Sequence, residues 1–323
     1  MKKIIGITIG DPAGIGPEIL LKGFFEIKKI KDVVPLIIGD IPVIERNLEY
    51  VDVKIKIKEV KDKIDIDDKY LNIFPIDVIK DKKFPIGYDN RICGEASFKY
   101  VIEAINLWKK KVIDALVTLP ISKRAWFFAG HNYSGHTELL SEKLNEKKYA
   151  MIMIAEKYKV LLLTTHIPLK DIFKYLKEEL IIEKINIGFE FLKKLKVKNP
   201  KIGICGLNPH AGENGILGKE EIEIIKPAIE KIKNKEINIE GPFPADTIFR
   251  KNFDLIIAIY HDQALIPLKT FYFEKLMNFT AGLKLLRISP GHGTAFDIAY
   301  KNKGNPESFI CAYKFICNFI KQK

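Results

Sequence analysis

The sequence FDLIIAIYHDQALIPLK at residues 253–269 joins an apolar run to an abrupt polar end. Residues 254–260 have the length and isoleucine content of a buried strand in a parallel sheet. His261, Asp262 and Gln263 follow at once. In open α/β sheets, ligands bind beyond the carboxyl ends of the strands. We therefore expect an α/β fold whose chemistry lies where this strand ends.

Two other strand-like runs also end near a histidine. Residues 159–165 (KVLLLTT) precede His166, and residues 201–207 (KIGICGL) precede Asn208, Pro209 and His210. If the three strands are parallel, their histidines share one sheet edge. Imidazole nitrogens suit zinc and other first-row divalent ions, and three protein ligands with an open position are typical of a catalytic site. For each histidine taken alone, a hydrogen-bonded loop or core residue is the alternative.

Length and composition indicate a soluble enzyme of about two domains. The chain has 323 residues, of which 47% are hydrophobic and 29% charged. Lys and Arg outnumber Asp and Glu by 53 to 41, but the lysines alternate with acids, as on a solvated surface, so we expect no nucleic-acid partner. No apolar run approaches the ~20 residues that span a bilayer, so we expect no membrane partner. Four cysteines without a CxxC pair favour the cytoplasm.

Other polar segments are candidates for ligand contacts. Thr137 is a plausible N-cap of a helix that follows a glycine- and asparagine-containing loop, and a helix start of this kind can bind an anion. Asp246 and Asp262 could support the histidines or accept protons, although Asp246 could instead cap the following segment. Glycines around His292, including Gly293, let the backbone approach a ligand closely.

Several longer motifs together resemble one enzyme family, the 4-hydroxythreonine-4-phosphate dehydrogenases of vitamin B6 biosynthesis. The resemblance covers almost the whole chain. The motifs that carry it are GDPAGIGPEI at 10–19, GHTELL at 135–140, NPHAGE at 208–213, GPFPADT at 241–247, YHDQ at 260–263 and HGTAFDIA at 292–299.

The resemblance implies a two-lobed fold similar to isocitrate and isopropylmalate dehydrogenases, with a largely parallel mixed sheet shared between the lobes. Residues 1–125 plus 265–323 would form the cofactor lobe, and residues 126–264 the metal, substrate and dimerisation lobe. It also implies NAD as cofactor, one divalent ion per active site (zinc, magnesium or cobalt), and a homodimer with the active site between subunits.

Site residues follow from the resemblance position by position. The metal ligands fall on the strand-end histidines. The resemblance does not settle which group is the catalytic base, for which the candidates are Asp246, Asp262, Lys269 and a metal-bound water. The remaining positions are His136, Thr137, Lys269, Asn278 and Arg287 for the substrate, and His292, Gly293, Asp297 and Asn305 for the NAD adenosine.

The implied reaction is oxidation of 4-hydroxythreonine-4-phosphate to a 3-keto acid, which decarboxylates to 3-amino-2-oxopropyl phosphate. Ile288 and Gly291 depart from the family pattern, where a threonine and an acidic residue are common. Phosphothreonate and phosphoerythronate are therefore alternative substrates. A zinc hydrolase would also use three histidines but not the HGTAFDIA segment, and a non-enzymatic phosphate-binding module would leave the histidines without a role.

Overall fold

The computed structural model describes residues 2–61, 65–67, 69–233 and 237–321. They form an α/β fold with a large, mostly parallel mixed sheet, which confirms the predicted fold class. The chain divides into two compact units, one extending to Glu146 and including Lys284–Lys321, the other comprising Lys147–Leu283. The sequence prediction instead grouped residues 126–146 with the second unit and residues 265–283 with the first.

The first unit contains six parallel strands among its described residues, in the order β3-β4-β2-β1-β5-β12. Strands are numbered along the whole chain: β1 (Lys3–Thr8), β2 (Val33–Ile38), β3 (Ile57–Glu59), β4 (Leu71–Phe74), β5 (Ala115–Thr118) and β12 (Arg287–Pro290). Its helices are α1 (Gly16–Lys28), α2 (Ile41–Leu48), α3 (Arg91–Lys109), α4 (Lys123–Phe128), α5 (His136–Leu144) and α10 (Glu307–Lys321). Strand β2 is buried at every position, which explains its unbroken apolar sequence.

The second unit has strand order β11-β6-β7-β10-β8-β9. The strands are β6 (Ala150–Ala155), β7 (Tyr158–Leu162), β8 (Lys201–Cys205), β9 (Asn238–Phe243), β10 (Leu255–Ala258) and β11 (Met277–Ala281). The helices are α6 (Ile172–Tyr175), α7 (Glu178–Lys194), α8 (Lys226–Lys233) and α9 (His261–Tyr272), and a π-helical turn at Glu221–Ile225 runs directly into α8. Strand β6 pairs antiparallel with β11 and β7, whereas the other neighbours are parallel.

Strand β10 lies between β7 and β8 and is parallel to both. The condition under which the three histidines share one sheet edge, that their strands are parallel, is therefore met. Strand β10 is shorter than predicted, because the backbone N–H of Ile259 donates to Oε1 of Gln263 at 2.8 Å instead of continuing the ladder. Tyr260 is then the N-cap of α9. This early turn brings His261 to the first residue of a helix.

The predicted N-cap at Thr137 is wrong. Helix α5 begins at His136, two residues earlier than an N-cap at Thr137 would place it, and its N-cap is Gly135 with φ 154°. A glycine tolerates this φ, whereas a residue with a Cβ would be strained there. Thr137 is consequently buried within the first turn of α5.

No helix in the described ranges is both long enough and apolar enough to cross a membrane.

Candidate active site

The three strand-end histidines lie at the carboxyl edge of the second unit's parallel strands. His166 is in the loop after β7, His210 is in the loop after β8, and His261 begins α9 directly after β10. The hydrogen bond from the Leu163 N–H to the Ala258 carbonyl (2.8 Å) continues the β7–β10 pairing towards His166. The short connections keep all three residues near this edge.

The structure brings two of these histidines together. The ring centroids of His166 and His261 are 5.9 Å apart. His166 and His210 are exposed and His261 is partly exposed. Within the described part of a single chain, no group of three or more His, Cys, Asp or Glu side chains is arranged to hold a metal. One chain therefore presents a histidine pair with His210 on a neighbouring loop.

Asp262 and Asp246 lie on the same side of the second unit. Oδ1 of Asp262 is 2.7 Å from Nδ1 of His261. Asp246, Asp262 and Tyr260 line a cavity of about 490 Å³ whose other wall is largely aromatic and aliphatic. Burial, followed by the Asp262 charge, raises the pKa of Tyr260. The carboxylate of Asp262 is thus in contact with a predicted metal ligand.

Two predicted substrate residues also belong to the second unit. Lys269 is exposed on α9, eight residues after His261, which corresponds to about 12 Å along a helix. Asn278 is on β11, opposite Met153 of β6. Its Oδ1 is buried and accepts no hydrogen bond. An unpaired buried acceptor is costly, so this atom is available for a ligand donor.

His136 and Arg287 form a buried basic cluster in the first unit. His136 is 9% exposed, and its Nε2 is buried without a hydrogen-bond partner. Burial, followed by the charges of Arg287 and Lys123, holds the pKa of His136 well below its usual range. The imidazole is therefore neutral near pH 7, at the positive end of α5.

Arg287 is 3% exposed and begins β12. Its Nε and Nη2 donate to Oγ1 of Thr118 on β5 at 2.9 and 2.7 Å. Burial lowers the pKa of Arg287 to about 9, a value that still leaves the guanidinium charged at neutral pH. A buried cation beside a helix start is suited to phosphate or carboxylate. Lys123 is exposed, but its charge also acts on His136. The sequence analysis missed this residue, which could have been noticed as the one that opens α4 beyond β5.

The predicted cofactor residues follow β12 in the first unit. His292 has a buried Nε2 without a hydrogen-bond partner, and burial lowers its pKa. Apart from Gly293 and its two chain neighbours, no atom of the described residues lies within 4 Å of where a Cβ would stand on Gly293. Asp297 and Asn305 are exposed, and Oδ1 of Asn305 accepts from the Glu307 N–H at 3.0 Å. The segment offers an open backbone, a buried ring nitrogen and an exposed carboxylate.

The glycine-rich turn after β1 supports this cofactor segment. The Ile15 N–H donates to the Thr294 carbonyl at 2.9 Å, and the Tyr300 hydroxyl donates to the Pro12 carbonyl at 2.8 Å. Asp11 in this turn is fully buried, and burial is the main cause that raises its pKa to about 7. These hydrogen bonds join the turn to the segment that carries the predicted cofactor residues.

Gln263 lines the same cavity as Asp246 and Asp262, and it also has a structural role that its position in the sequence did not suggest. Its side chain is buried and forms hydrogen bonds with backbone groups that follow β10 and β8. Oε1 accepts from the Ile259 N–H, and Nε2 donates to the Gly206 carbonyl at 2.8 Å. Sequence reasoning placed it in the ligand crevice with His261. It also ties the end of β10 to the loop that follows β8.

Comparison with known proteins assigns the family. The model of the pyridoxal phosphate biosynthetic protein PdxA matches residues 31–316. The chain belongs to the PdxA family. It is 42% identical to a putative D-threonate 4-phosphate dehydrogenase from Oceanobacillus iheyensis, over 96% of this chain and 95% of that protein. It is also 42% identical to a 4-hydroxythreonine-4-phosphate dehydrogenase from Sulfurihydrogenibium sp., over 95% of each chain.

Solved structures agree with this PdxA assignment. A 4-hydroxythreonine-4-phosphate dehydrogenase from Klebsiella pneumoniae has a TM-score of 0.86 and 34% identity, over 99% of this chain and 98% of that one. Isocitrate dehydrogenase from Methylococcus capsulatus, at 12% identity and a TM-score of 0.51 over 99% of this chain and 86% of that one, shares the fold alone. The matches confirm the prediction of a dehydrogenase and give no support to a zinc hydrolase or a non-enzymatic module.

We predict that the His136→Gln variant will lose less folding stability than the wild type when the pH is lowered from 7 to 5. Below about pH 6.5 the unfolded chain protonates this histidine whereas the folded protein does not, so protons favour unfolding by up to about 1.4 kcal/mol per pH unit. Urea unfolding between pH 7 and 5 should show a shallower slope for the variant. His131→Gln is the control, since His131 contacts Glu95 rather than cations. Equal slopes for wild type and His136→Gln would contradict the prediction.

Proposed function

We propose that this PdxA protein oxidises the C3 hydroxyl of 4-hydroxythreonine-4-phosphate with NAD⁺. The observation that carries the proposal is the placement of His166, His210 and His261 beyond the carboxyl ends of three adjacent parallel strands. Bound NAD⁺ would supply the hydride acceptor for C3, and a base of the protein would take the hydroxyl proton. The 3-keto acid then loses CO₂ and is protonated to give 3-amino-2-oxopropyl phosphate.

A second substrate is favoured by a specific observation. Relatives named for D-threonate 4-phosphate match over nearly the whole chain, one of them at 42% identity. Both compounds are four-carbon acids with a terminal phosphate and a hydroxyl at C3. We therefore infer that the two compounds would bind through the same anion-binding residues. They differ at C2, which carries an amine in one and a hydroxyl in the other, so only contacts at C2 could distinguish them.

A divalent ion is compatible with the donor set of the second unit. His166 and His261 are already neighbours, and the contact of His261 Nδ1 with Asp262 leaves Nε2 to face a ligand. Imidazoles favour zinc or cobalt over magnesium. When bound by these residues and His210, the ion would supply Lewis-acid stabilisation of developing negative charge on the substrate oxygen.

Substrate anions would bind to the predicted substrate residues of the chain, some buried and some exposed. In the first unit, the charges of Arg287 and Lys123 act on His136, whose Nε2 is buried without a hydrogen-bond partner, and Thr137 follows in the first turn of α5. In the second unit, Lys269 and the Asn278 amide provide further polar contacts. Binding at the phosphate would orient C3, since remote binding energy can be used to position the reacting carbon.

Asp246 is the strongest candidate for the base among the predicted residues. Asp262 is held by His261, whereas Asp246 is exposed at the cavity that Asp262 also lines. A carboxylate oxygen of Asp246 can accept a proton directly or through one water. Lys269, on the exposed face of α9, is the alternative.

NAD would bind through the segment after β12. His292 Nε2 needs a hydrogen-bond partner, Gly293 leaves room for a close approach, and Asp297 can accept from a ribose diol. Asn305 extends the same surface.

We place the reaction in the cytoplasm because none of the four cysteines, all of which the structure describes, forms a disulfide.

A homodimer would complete the metal site. Large exposed apolar side chains follow each of the three histidines, and clusters of this kind mark interfaces. They are Leu169, Phe173 and Tyr175 after His166, Ile216, Leu217 and Ile222 after His210, and Ile266, Phe271 and Phe273 after His261. We infer that a second copy covers them and that histidines from both subunits share one ion.

The substrate prediction is tested with three compounds assayed side by side with NAD⁺ and zinc or cobalt: 4-hydroxythreonine-4-phosphate, phosphothreonate and phosphoerythronate. The first should have the highest kcat/KM, and its unphosphorylated analogue should lose kcat as well as affinity. Lys123→Gln should raise KM for the phosphorylated compound only. Equal rates with and without phosphate would defeat the anion-site argument, whereas a preference for a sugar acid would change only the substrate.

Replacing His166, His210 or His261 with alanine should lower metal affinity and abolish turnover. Outer-sphere changes alone typically cost 10–100-fold in metal affinity, so loss of a ligand should cost at least about that much. Calorimetric titration with zinc measures the change. Full activity of all three variants in metal-stripped buffer would show that these residues hold no catalytic ion.

NAD should be preferred over NADP, because the Asp297 carboxylate favours a ribose diol and repels a 2′-phosphate. The ratio of kcat/KM for the two cofactors measures this preference, and Asp297→Asn should narrow it. A preference of the wild-type protein for NADP would show that Asp297 does not contact the ribose of the cofactor.

Mixing two inactive single-histidine variants whose missing ligands belong to different subunits should restore part of the activity once subunits exchange. All pairwise mixtures of the three alanine variants should be assayed, with each variant alone as control. Light scattering that shows a fully active monomer would refute the shared site.

A further inference from the structure

A buried carboxylate holds the loop that carries His210. Glu221, in the π-helical turn before α8, is 2% exposed. Its Oε1 accepts from the backbone N–H groups of Leu207 and Asn208, both at 2.8 Å, and its Oε2 accepts from Nδ2 of Asn208 at 3.0 Å. Three donors of the loop therefore converge on one side chain. Charge-assisted bonds of this kind are roughly twice as strong as neutral ones.

The loop around His210 depends on such support. Residues 210–214 all have positive φ, with His210 at φ 51° and ψ 28°. Four of the five carry a Cβ, and the left-handed conformation costs roughly 1–2 kcal/mol for each such residue. A Cβ on Gly212 would stand 2.6 Å from Oε2 of Glu221, so the backbone and the carboxylate can approach only at a glycine. An isolated loop would not keep this shape.

A second buried side chain joins the same loop to His261. Gln263 donates from Nε2 to the carbonyl of Gly206 and accepts at Oε1 from the N–H of Ile259. Gly206 is the residue before the two N–H groups that Glu221 binds, and Gln263 lies in the first turn of the helix that His261 begins. The two side chains thus form a continuous bonded path between the His210 loop and the start of α9.

We propose that Glu221 and Gln263 are positioning residues that fix the loop of His210 against the carboxyl end of β10, and so set where the His210 imidazole can meet a metal ion. The inference rests on the proposed function, because the position of His210 matters to the reaction only if this histidine is a metal ligand. Glu221 fixes the loop conformation, and Gln263 fixes the distance of that loop from α9. Neither side chain needs to touch the ion or the substrate.

Cobalt binding to the full-length protein tests the proposal without turnover, since Co²⁺ absorbs visible light when it is bound by imidazoles. Glu221→Ala should weaken Co²⁺ binding about 10–100-fold and change the visible spectrum. Glu221→Gln keeps an acceptor for the two backbone N–H groups, so its affinity should lie between those of wild type and Glu221→Ala. NAD affinity should be unchanged in both. Asp254→Ala is the matched control, because Asp254 also accepts a backbone N–H, from Lys201 at 2.8 Å, but at the opposite ends of β8 and β10.

Gln263→Glu provides an independent variant should Glu221→Ala fail to fold. It retains the acceptor for Ile259 and replaces the donor to Gly206 with a repelling oxygen, so Co²⁺ binding should also weaken about tenfold. His210→Ala separates the two levels of the argument. Weak binding by His210→Ala but wild-type binding by the Glu221 and Gln263 variants would overturn the positioning role alone. Unchanged Co²⁺ binding by His210→Ala would show that His210 is not a metal ligand, and would thereby contradict both the metal site and the proposed function.

Discussion

Parallel pairing of β10 with both β7 and β8 is the constraint on which the second unit's site depends. Adjacent strands lie about 4.8 Å apart, so three parallel strands bring their carboxyl ends within roughly 10 Å of one another. His261 follows the central strand, and the other two histidines follow its neighbours. Short loops then suffice to bring imidazoles together, as the 5.9 Å separation of the His166 and His261 rings illustrates. An antiparallel β10 would send His261 to the opposite edge.

In the first unit, the main energetic constraint is the burial of a positive charge. Arg287 is almost fully buried, and desolvation of a charged group is costly unless hydrogen bonds offset it. Thr118 accepts two of the guanidinium donors. Burial, and after it the neighbouring cations, lowers the pKa of His136 and keeps the imidazole neutral, so that its Nε2 presents a polar atom without adding a further charge. The cluster is therefore organised for an anion before one binds.

Much of this arrangement could be predicted from local sequence, because buried parallel strands have unbroken apolar runs with sharp ends. Strand β10 and the order of polar residues after it are examples. The prediction failed where a side chain replaced a backbone contact or where a glycine changed a boundary. Gln263 ended β10 early, and Gly135 rather than Thr137 capped α5. Both depend on contacts or dihedral angles that a hydropathy pattern does not encode.

Glu221 was missed for a related reason. In the stretch KEEIEIIK it has the same appearance as the neighbouring surface acids, and only the fold distinguishes it by burying it against residues 206–212. The nearby glycines at 206 and 212 were the available signal, because each lies where a Cβ would crowd the Glu221 carboxylate. Recognising that signal requires knowing which helix passes beside the loop.

The π-helical turn at Glu221–Ile225 restricts how this part of the chain can change in length. A π turn accommodates one residue more than an α-helical turn. Downstream, Ala228, Ile229 and Ile232 of α8 are buried in the core. Deleting one residue from the turn would rotate Glu221 by about 100° relative to that buried face. The helix could then keep either its core packing or the hydrogen bonds of Glu221 to the His210 loop, but not both. Among PdxA proteins, we expect insertions and deletions to fall outside this turn.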